Sequence, residues 1–357
     1  MKPLSSKLAR CLFVFILTSQ LAPFLHALPP GDEPSLGPFG GRNLFTPHNP
    51  WFSFPGDKAA ALPKSTIIAR IGLYNLNEFD TYPYEFKDYT FQSNGKLSEQ
   101  GQLETISMDY ESTVFELGAD WQAAKNLRLS TEWRLHFIYG GFMDAIFEWW
   151  HNALGVNNAG REYYDQNRAY WNIQSQNGFN YSGSGTTIAP ADLDLRAIYT
   201  FYEQKKLALA AGAAFKLPTG MRPTGFSSGY PDLGLEFLID WHPWKRWAFY
   251  TNAGLIFPFD GQARIMAQLI PAIEFRLSRS ISLVLQMNFQ TAAITNAIKY
   301  EHAPYGIVEF MSLPQTNMKV GIKGRHGRFE WQFYIEEDPF TWAGPDLVLY
   351  FSAGYRF

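Results

Sequence analysis

The side chains best suited to chemistry fall at every second position. Between Leu127 and Phe137 the even-numbered residues are Arg128, Ser130, Glu132, Arg134 and His136, and Asp194, Arg196, Glu236, Arg264, Glu274, Arg276 and Glu330 hold the same polar phase further along the chain. A period of two places such residues on one face of a strand. The chemistry this set offers is electrostatic. Opposite charges on neighbouring strands would pair and stiffen an interior, or a mixed lining would pass solutes by charge. Bond-breaking chemistry is poorly served. His136 and Ser130 share a face but stand six residues apart, and the other histidines fall mostly in loops and turns.

A second group lies in Gly140-Gly-Phe-Met-Asp-Ala-Ile-Phe-Glu-Trp-Trp-His-Asn-Ala-Leu-Gly155. At 100° per residue, Phe142, Met143, Ile146, Phe147, Trp149, Trp150 and Leu154 cover one side of a helix, and Asp144, Glu148 and His151 stack on the other. The Glu148/His151 spacing is one that metal sites use. A polar stripe on an amphipathic helix needs no ligand to explain it, so no metal or cofactor is expected. Such a helix would lie on an outer leaflet or fold over a pore as a lid.

The elements that carry these residues alternate between apolar and polar positions. Leu127 to Phe137, Leu193 to Phe201, Leu233 to Trp241, Ile281 to Phe289, Phe329 to Ile335 and Leu347 to Tyr355 each set apolar residues opposite small or polar ones. Each approaches the 9–11 residues that a tilted strand needs to cross a bilayer. A soluble sandwich also alternates, but these apolar sets are longer and more aromatic than a half-buried sheet requires. Aromatic residues make up 17% of the chain and charged residues 18%, against roughly 25% charged in ordinary globular domains. Short turns near 123–126, 203–206, 242–245, 278–280 and 325–327 alternate with long loops near 78–101, 139–190, 217–230, 292–315 and 338–345, as in outer-membrane barrels. Trp241, Trp244 and Trp247 around one short turn fit an interfacial belt.

Parity sets the strand count. Both chain ends and all short turns belong on the periplasmic side, so 102–122 reads as one long strand. A bulge near Glu111–Thr113 would carry the outward set from Ile106, Met108 and Tyr110 to Phe115, Leu117, Ala119 and Trp121. The expected architecture is an all-β, transmembrane, antiparallel up-and-down barrel of about 12 strands with a short extracellular amphipathic helix. Fourteen strands is the alternative if Ile307–Phe310 or the 78–91 stretch also crosses.

The ends of the 357-residue chain read differently. Lys2, Lys7 and Arg10 precede an apolar run from Cys11, and Leu25-His26-Ala27 suits cleavage, so residues 1–27 are expected to be an export signal. Cys11, the single cysteine, lies inside it. Removing the signal takes three basic residues and no acidic one from a chain with 30 basic and 33 acidic residues, leaving a net charge of about −6. That balance gives no hint of nucleic-acid binding. Residues 28–63, rich in Pro, Gly, Phe and Trp without a sustained period, would be a lumen plug or a periplasmic segment, and 64–357 the barrel. The chain stops on Tyr355-Arg-Phe357, which resembles the terminal strand that a barrel-assembly machinery accepts.

Gly140-Gly-Phe-Met-Asp144 with Ile146, Glu148, His151, Gly155 and Gly160-Arg161, together with Gly183-Ser-Gly185, Leu217-Pro-Thr-Gly220, Glu337-Asp338 and Pro345-Asp346, resembles an uncharacterised family of bacterial outer-membrane β-barrels with a Gly-Gly-Phe-x-Asp…His loop block. Met143 stands where leucine is more usual, and Pro190-Ala-Asp192 replaces a glycine-aspartate lead into its strand. The resemblance implies architecture and outer-membrane location, and no catalytic residue. The functional expectation is therefore a monomeric channel or transporter in contact with outer-membrane lipid. It would pass small solutes, apolar ones included, between a lining of Arg128, Glu132, Arg134, His136, Asp194, Arg196, Glu236, Arg264, Glu274 and Glu330 and a lid of Phe142, Asp144, Glu148, Trp149, Trp150 and His151. A lipid hydrolase and a pore-less structural or adhesin barrel are the alternatives.

Overall fold

The computed structural model describes residues 35–45, 48–81, 107–154, 165–174, 180–293, 314–338, 345 and 347–357. The expected signal at 1–27, Ile106 and the 307–310 stretch lie outside them. Twelve strands form the wall: β1 (Ile67–Thr81), β2 (Ser107–Ala124), β3 (Leu127–Tyr139), β7 (Leu193–Gln204), β8 (Leu207–Leu217), β9 (Asp232–Trp244), β10 (Trp247–Pro258), β11 (Met266–Arg276), β12 (Ile281–Gln290), β13 (Gln315–His326), β14 (Phe329–Glu337) and β15 (Leu347–Arg356). Each is antiparallel to the next, and β15 returns to β1, from Ile68 opposite Arg356 to Asn77 opposite Leu347. Closure leaves no unpaired edge, the one way a sheet can meet hydrocarbon without orphaned peptide groups. No helix among the described residues is long and apolar enough to cross a membrane.

Alternation assigns the two faces. Ile71, Leu117 and Phe351 point outward, 62%, 52% and 48% exposed, and similar residues on the other strands continue the belt. Exposed apolar surface on that scale is not tolerated in water. It is stable only against lipid tails. At the short-turn end the belt becomes aromatic: Trp241 packs on Phe249 with ring centroids 5.4 Å apart, Trp247 on Phe275 at 4.7 Å, and Tyr355 on Phe357 at 5.0 Å. Those rings suit the boundary between tails and headgroups.

Strand β2 departs from expectation. It is a single long strand, but its pairing with β1 runs unbroken from Trp121 opposite Ile67 to Ser107 opposite Thr81, with no bulge near Glu111–Thr113. Met108 and Tyr110 therefore stay in phase with Val114 and Glu116 and face inward, fully buried. The reason is environmental: the upper lumen is filled with protein, so apolar side chains are at home there. Tyr110 meets Trp171, and Trp171 meets Phe226.

Three further strands, β4 (Tyr170–Gln174), β5 (Asn180–Ser184) and β6 (Thr187–Pro190), belong to the long connection after β3. β4 extends the sheet by pairing with β2 above the end of β3, and β5 pairs with β4. β6 and β7 both pair with β3, so they are one wall strand broken at Ala191–Asp192. The same connection carries α1 (Asp144–Leu154).

Candidate functional site

The lumen is where the polar faces converge, and the irregular segment 35–62 lies within it. Pro38, Pro50 and Pro55 interrupt this stretch. Proline removes a donor and fixes its φ, so the segment cannot simply add to the sheet as another strand. Its remaining peptide N–H groups still need acceptors, and inward side chains of the wall supply them. Leu36 and Gly37 donate to the Glu274 carboxylate at 3.0 and 2.9 Å, Phe39 to Gln286 at 2.8 Å, and Gly40 to Gln332 at 3.2 Å. Phe52 donates to Asp232 and Phe54 to Gln268, both at 2.7 Å. Asp57 donates to Asn252 at 2.8 Å, Ala59 and Ala60 to the two oxygens of Asp240 at 2.9 Å, and Leu62 to Gln122 at 3.0 Å.

Two charged side chains of the segment complete wall clusters. The buried Arg42 guanidinium meets Glu132 and lies 3.2 Å from Asp194, which Arg134 also approaches at 3.3 Å. Arg42 further donates to the Ser53 carbonyl and covers the Phe52 ring at 4.5 Å, folding the segment back on itself. The Asp57 carboxylate sits between Arg128 at 2.8 Å and Arg196 at 2.7 Å. Burial alone would raise the Asp57 pKa, but the Arg128 and Arg196 guanidiniums outweigh it and hold the group below its ordinary value. Arg196 is also paired with Glu236, its Nη2 donating to Oε2 at 2.6 Å.

Apolar anchors fill the space between. Phe39, Leu44, Phe45, Trp51, Phe52 and Phe54 are buried against Val114, Val284, Val348 and the stacked Tyr334–Tyr350–Tyr74 column. Tyr74 and Tyr350 donate to the two Glu116 oxygens at 2.6 and 3.0 Å. Inward glycines on β9 and β10 make room for Phe54: a Cβ on Gly234 would sit 2.7 Å from Phe54 Cζ, and one on Gly254 2.7 Å from Cδ2. Gly254→Leu is accordingly expected to displace Phe54, weakening the seat of the segment by about 1–3 kcal/mol. Faster proteolytic cleavage within residues 35–62 of the folded barrel would register it. A cleavage rate equal to wild type would refute the packing argument.

Arg128, Glu132, Arg134, Asp194, Arg196 and Glu236 gather around Arg42 and Asp57 as described. Glu274 holds the segment's backbone together with Tyr250 Oη at 2.5 Å and Ser282 Oγ at 2.6 Å. Glu330 sits near the short-turn end between Arg325 and Arg356. His136 is buried high in the barrel against Phe226, ring centroids 4.4 Å apart. Arg264 precedes β11 in an exposed connection, with Nε donating to the Ala292 carbonyl at 2.6 Å. Arg276 likewise reaches a turn carbonyl, that of Lys245.

The helix α1 does not start over the mouth. Phe142 N and Met143 N donate to Glu111, and Asn77 Nδ2 donates to Asp144 Oδ1 at 3.4 Å. Asn77 and Glu111 are cross-strand partners on the outward face of β1 and β2. The first turn is thus tied to the outside of the wall above the apolar belt, which corrects the lid arrangement. Phe142, Ile146 and Trp149 are 63%, 51% and 65% exposed, in line with the lipid-facing surface. Glu148 accepts from Gln166 Nε2 at 3.0 Å. The side chains of Trp150 and His151 lie outside the described residues.

Sequence reasoning missed the amide-binding residues Asp232, Asp240, Gln268, Gln286 and Gln122. Their signal was partial: Asp240 stands inward with Ala208 and Tyr250 as its register partners, whereas Asp232 is also paired with Lys216, 2.9 Å away.

The sequence profile of the family described as protein of unknown function (DUF3187) matches residues 98–357. The chain belongs to this family. No curated protein matches the sequence. Among solved structures, the COG4313 outer-membrane channel from Pseudomonas putida F1 aligns over 86% of this chain and 100% of its own, with 16% identity and a TM-score of 0.52. The NanC porin aligns over 81% of this chain and 98% of its own, at 8% identity and a TM-score of 0.42. The toluene transporter TodX of Pseudomonas putida covers 89% and 98%, at 9% identity and a TM-score of 0.37. The first likeness is one of fold. This DUF3187 barrel thus shares its fold with an outer-membrane channel.

Proposed function

We propose that this protein is a monomeric outer-membrane channel for small solutes, held shut in its resting state by residues 28–63 acting as a plug. The observation that carries the reading is the pairing of Arg42 and Asp57, from the segment, with wall charges on the adjacent strands β3 and β7. A purely structural barrel needs no such removable partner, because its wall charges could pair with one another. In this reading the aromatic carboxyl terminus at Phe357 engages the assembly machinery, lipid covers the outward belt, and the Gly140-Gly-Phe-Met-Asp144…His151 block marks the family at the outer rim.

The test compares the mature full chain with a variant lacking residues 35–62, each reconstituted in planar bilayers. The full chain is expected to conduct in rare, brief openings and the shortened chain continuously. Equal conduction by the two proteins would reject the plug, and silence from both would reject the channel and leave a structural barrel.

A further inference from the structure

The wall and the segment leave a space unfilled between them. A cavity of about 130 Å³ lies at the short-turn end of the lumen, between residues 36–62 and the inward faces of β1, β2, β3, β7, β13, β14 and β15. Eight cationic and five acidic residues line it. The carboxylates are already engaged: Asp57 by Arg128 and Arg196, Asp120 by Arg70, Glu132 and Asp194 by Arg42, and Glu330 by Arg325 and Arg356.

The surplus charge is therefore localised. Among the described residues, neither Lys58 nor Lys323 meets a carboxylate within ion-pair distance. Lys58 Nζ rests on the Ser35 carbonyl at 3.2 Å and Lys323 Nζ on the Pro38 carbonyl at 2.5 Å. Three donors of lining residues are buried with no hydrogen-bond partner: Arg128 Nε, Arg356 Nε and Ser130 Oγ. Orphaned donors beside two unneutralised ammonium groups are costly unless an acceptor-rich, negatively charged group completes them. Burial pulls the Lys58 ammonium below its ordinary pKa, and an anion beside it would act in the opposite sense.

We infer that this cavity is a binding site for a small oxyanion, a carboxylate- or phosphate-bearing solute held by Lys58, Lys323, Arg128, Arg356 and Ser130. The inference rests on the channel reading for its biological sense, naming the solute class the lumen would favour. The binding itself needs no passage. Because Lys58 belongs to the segment and Lys323 to the wall, an anion here bridges the two, and its arrival or departure changes how the segment is held.

Equilibrium dialysis of the mature full chain in detergent against radiolabelled inorganic phosphate tests it, with tetramethylammonium as the probe of opposite charge. One saturable phosphate site is expected, with no saturable tetramethylammonium binding. Lys58→Gln/Lys323→Gln should weaken phosphate binding by about tenfold or more, as loss of charge-assisted hydrogen bonds does. The exposed Lys64→Gln should leave it unchanged. If the double variant fails to fold, as judged by heat-modifiable migration, each single variant is expected to give a smaller loss in the same direction. No saturable phosphate binding by the folded full chain overturns the site, as does unaltered affinity in the folded variants. Phosphate binding without current in bilayers would reject the channel and keep the site; current without phosphate binding would do the reverse.

Discussion

Arg42→Ala is expected to release the amino-terminal segment from the lumen and to open the barrel. Arg42 is 2% exposed and is shared between Glu132 and Asp194. Removing one partner from a buried ionic cluster costs about 3–5 kcal/mol, because the charges left behind stay dry and unsatisfied. Here that cost falls on the docked state alone. Once the segment leaves, water reaches Glu132 and Asp194 and solvates them. The docked-to-released ratio should then fall by roughly 10²–10⁴, at about 1.4 kcal/mol per tenfold. Single-channel recording would show this as a higher open probability at unchanged unitary conductance. Arg42→Lys keeps a charge but loses the planar fork that spans two carboxylates and covers Phe52, so it should lie between wild type and Ala. An Ala variant with wild-type gating would mean that the amide contacts along the wall hold the segment without help from its charges.

The second large effect concerns the outer surface. Leu117, opposite Ile71 and Trp133 in register, is 52% exposed well inside the apolar belt. Leu117→Arg should destabilise the barrel folded in lipid by about 2–4 kcal/mol, the range for a cation near mid-bilayer in such folds. Trp244→Arg, at the turn end of β9, should cost only about 0–1 kcal/mol, since the interface tolerates charge. Urea titration of protein folded into vesicles gives both values. A depth-independent response would sink the lipid-facing assignment, because a water-soluble sheet has no reason to distinguish those two exposed positions.

The strands were legible because two solvents act on them. Hydrocarbon outside and a polar filling inside enforce strict alternation, so the faces of Leu233–Trp241 or Phe329–Ile335 could be assigned by counting. Counting failed where one solvent changed. Met108 and Tyr110 look like lipid-facing residues, yet they face a lumen that Trp171 and Phe226 have made apolar. A polarity reversal was therefore mistaken for a change of register. Helix α1 illustrates a related limit: its amphipathic period was evident, but only the contacts of Glu111 and Asp144 decide which side of the wall it occupies.

The site was half legible. The luminal charges announced themselves through their phase, whereas their partners did not. Arg42 and Asp57 lie in a stretch without periodicity, and Arg42 reaches Glu132 across 90 positions while Asp57 reaches Arg196 across 139. Nothing local records such pairings. Asp240 was hidden for another reason, since it accepts the Ala59 and Ala60 peptide N–H groups and no complementary side chain betrays it, while the Lys216 beside Asp232 gives no sign that the same carboxylate also takes the Phe52 N–H.

That mode of holding the segment carries an evolutionary corollary. A wall that grips main-chain amides recognises what nearly every residue possesses, so side chains of the segment that fill no anchor pocket and pair with no wall charge, such as those of Leu36 and Ala60, are free to drift provided that no proline arrives at a donating position. Adaptation to a new environment can then proceed through the inner stretch alone, with the scaffold around it left unaltered.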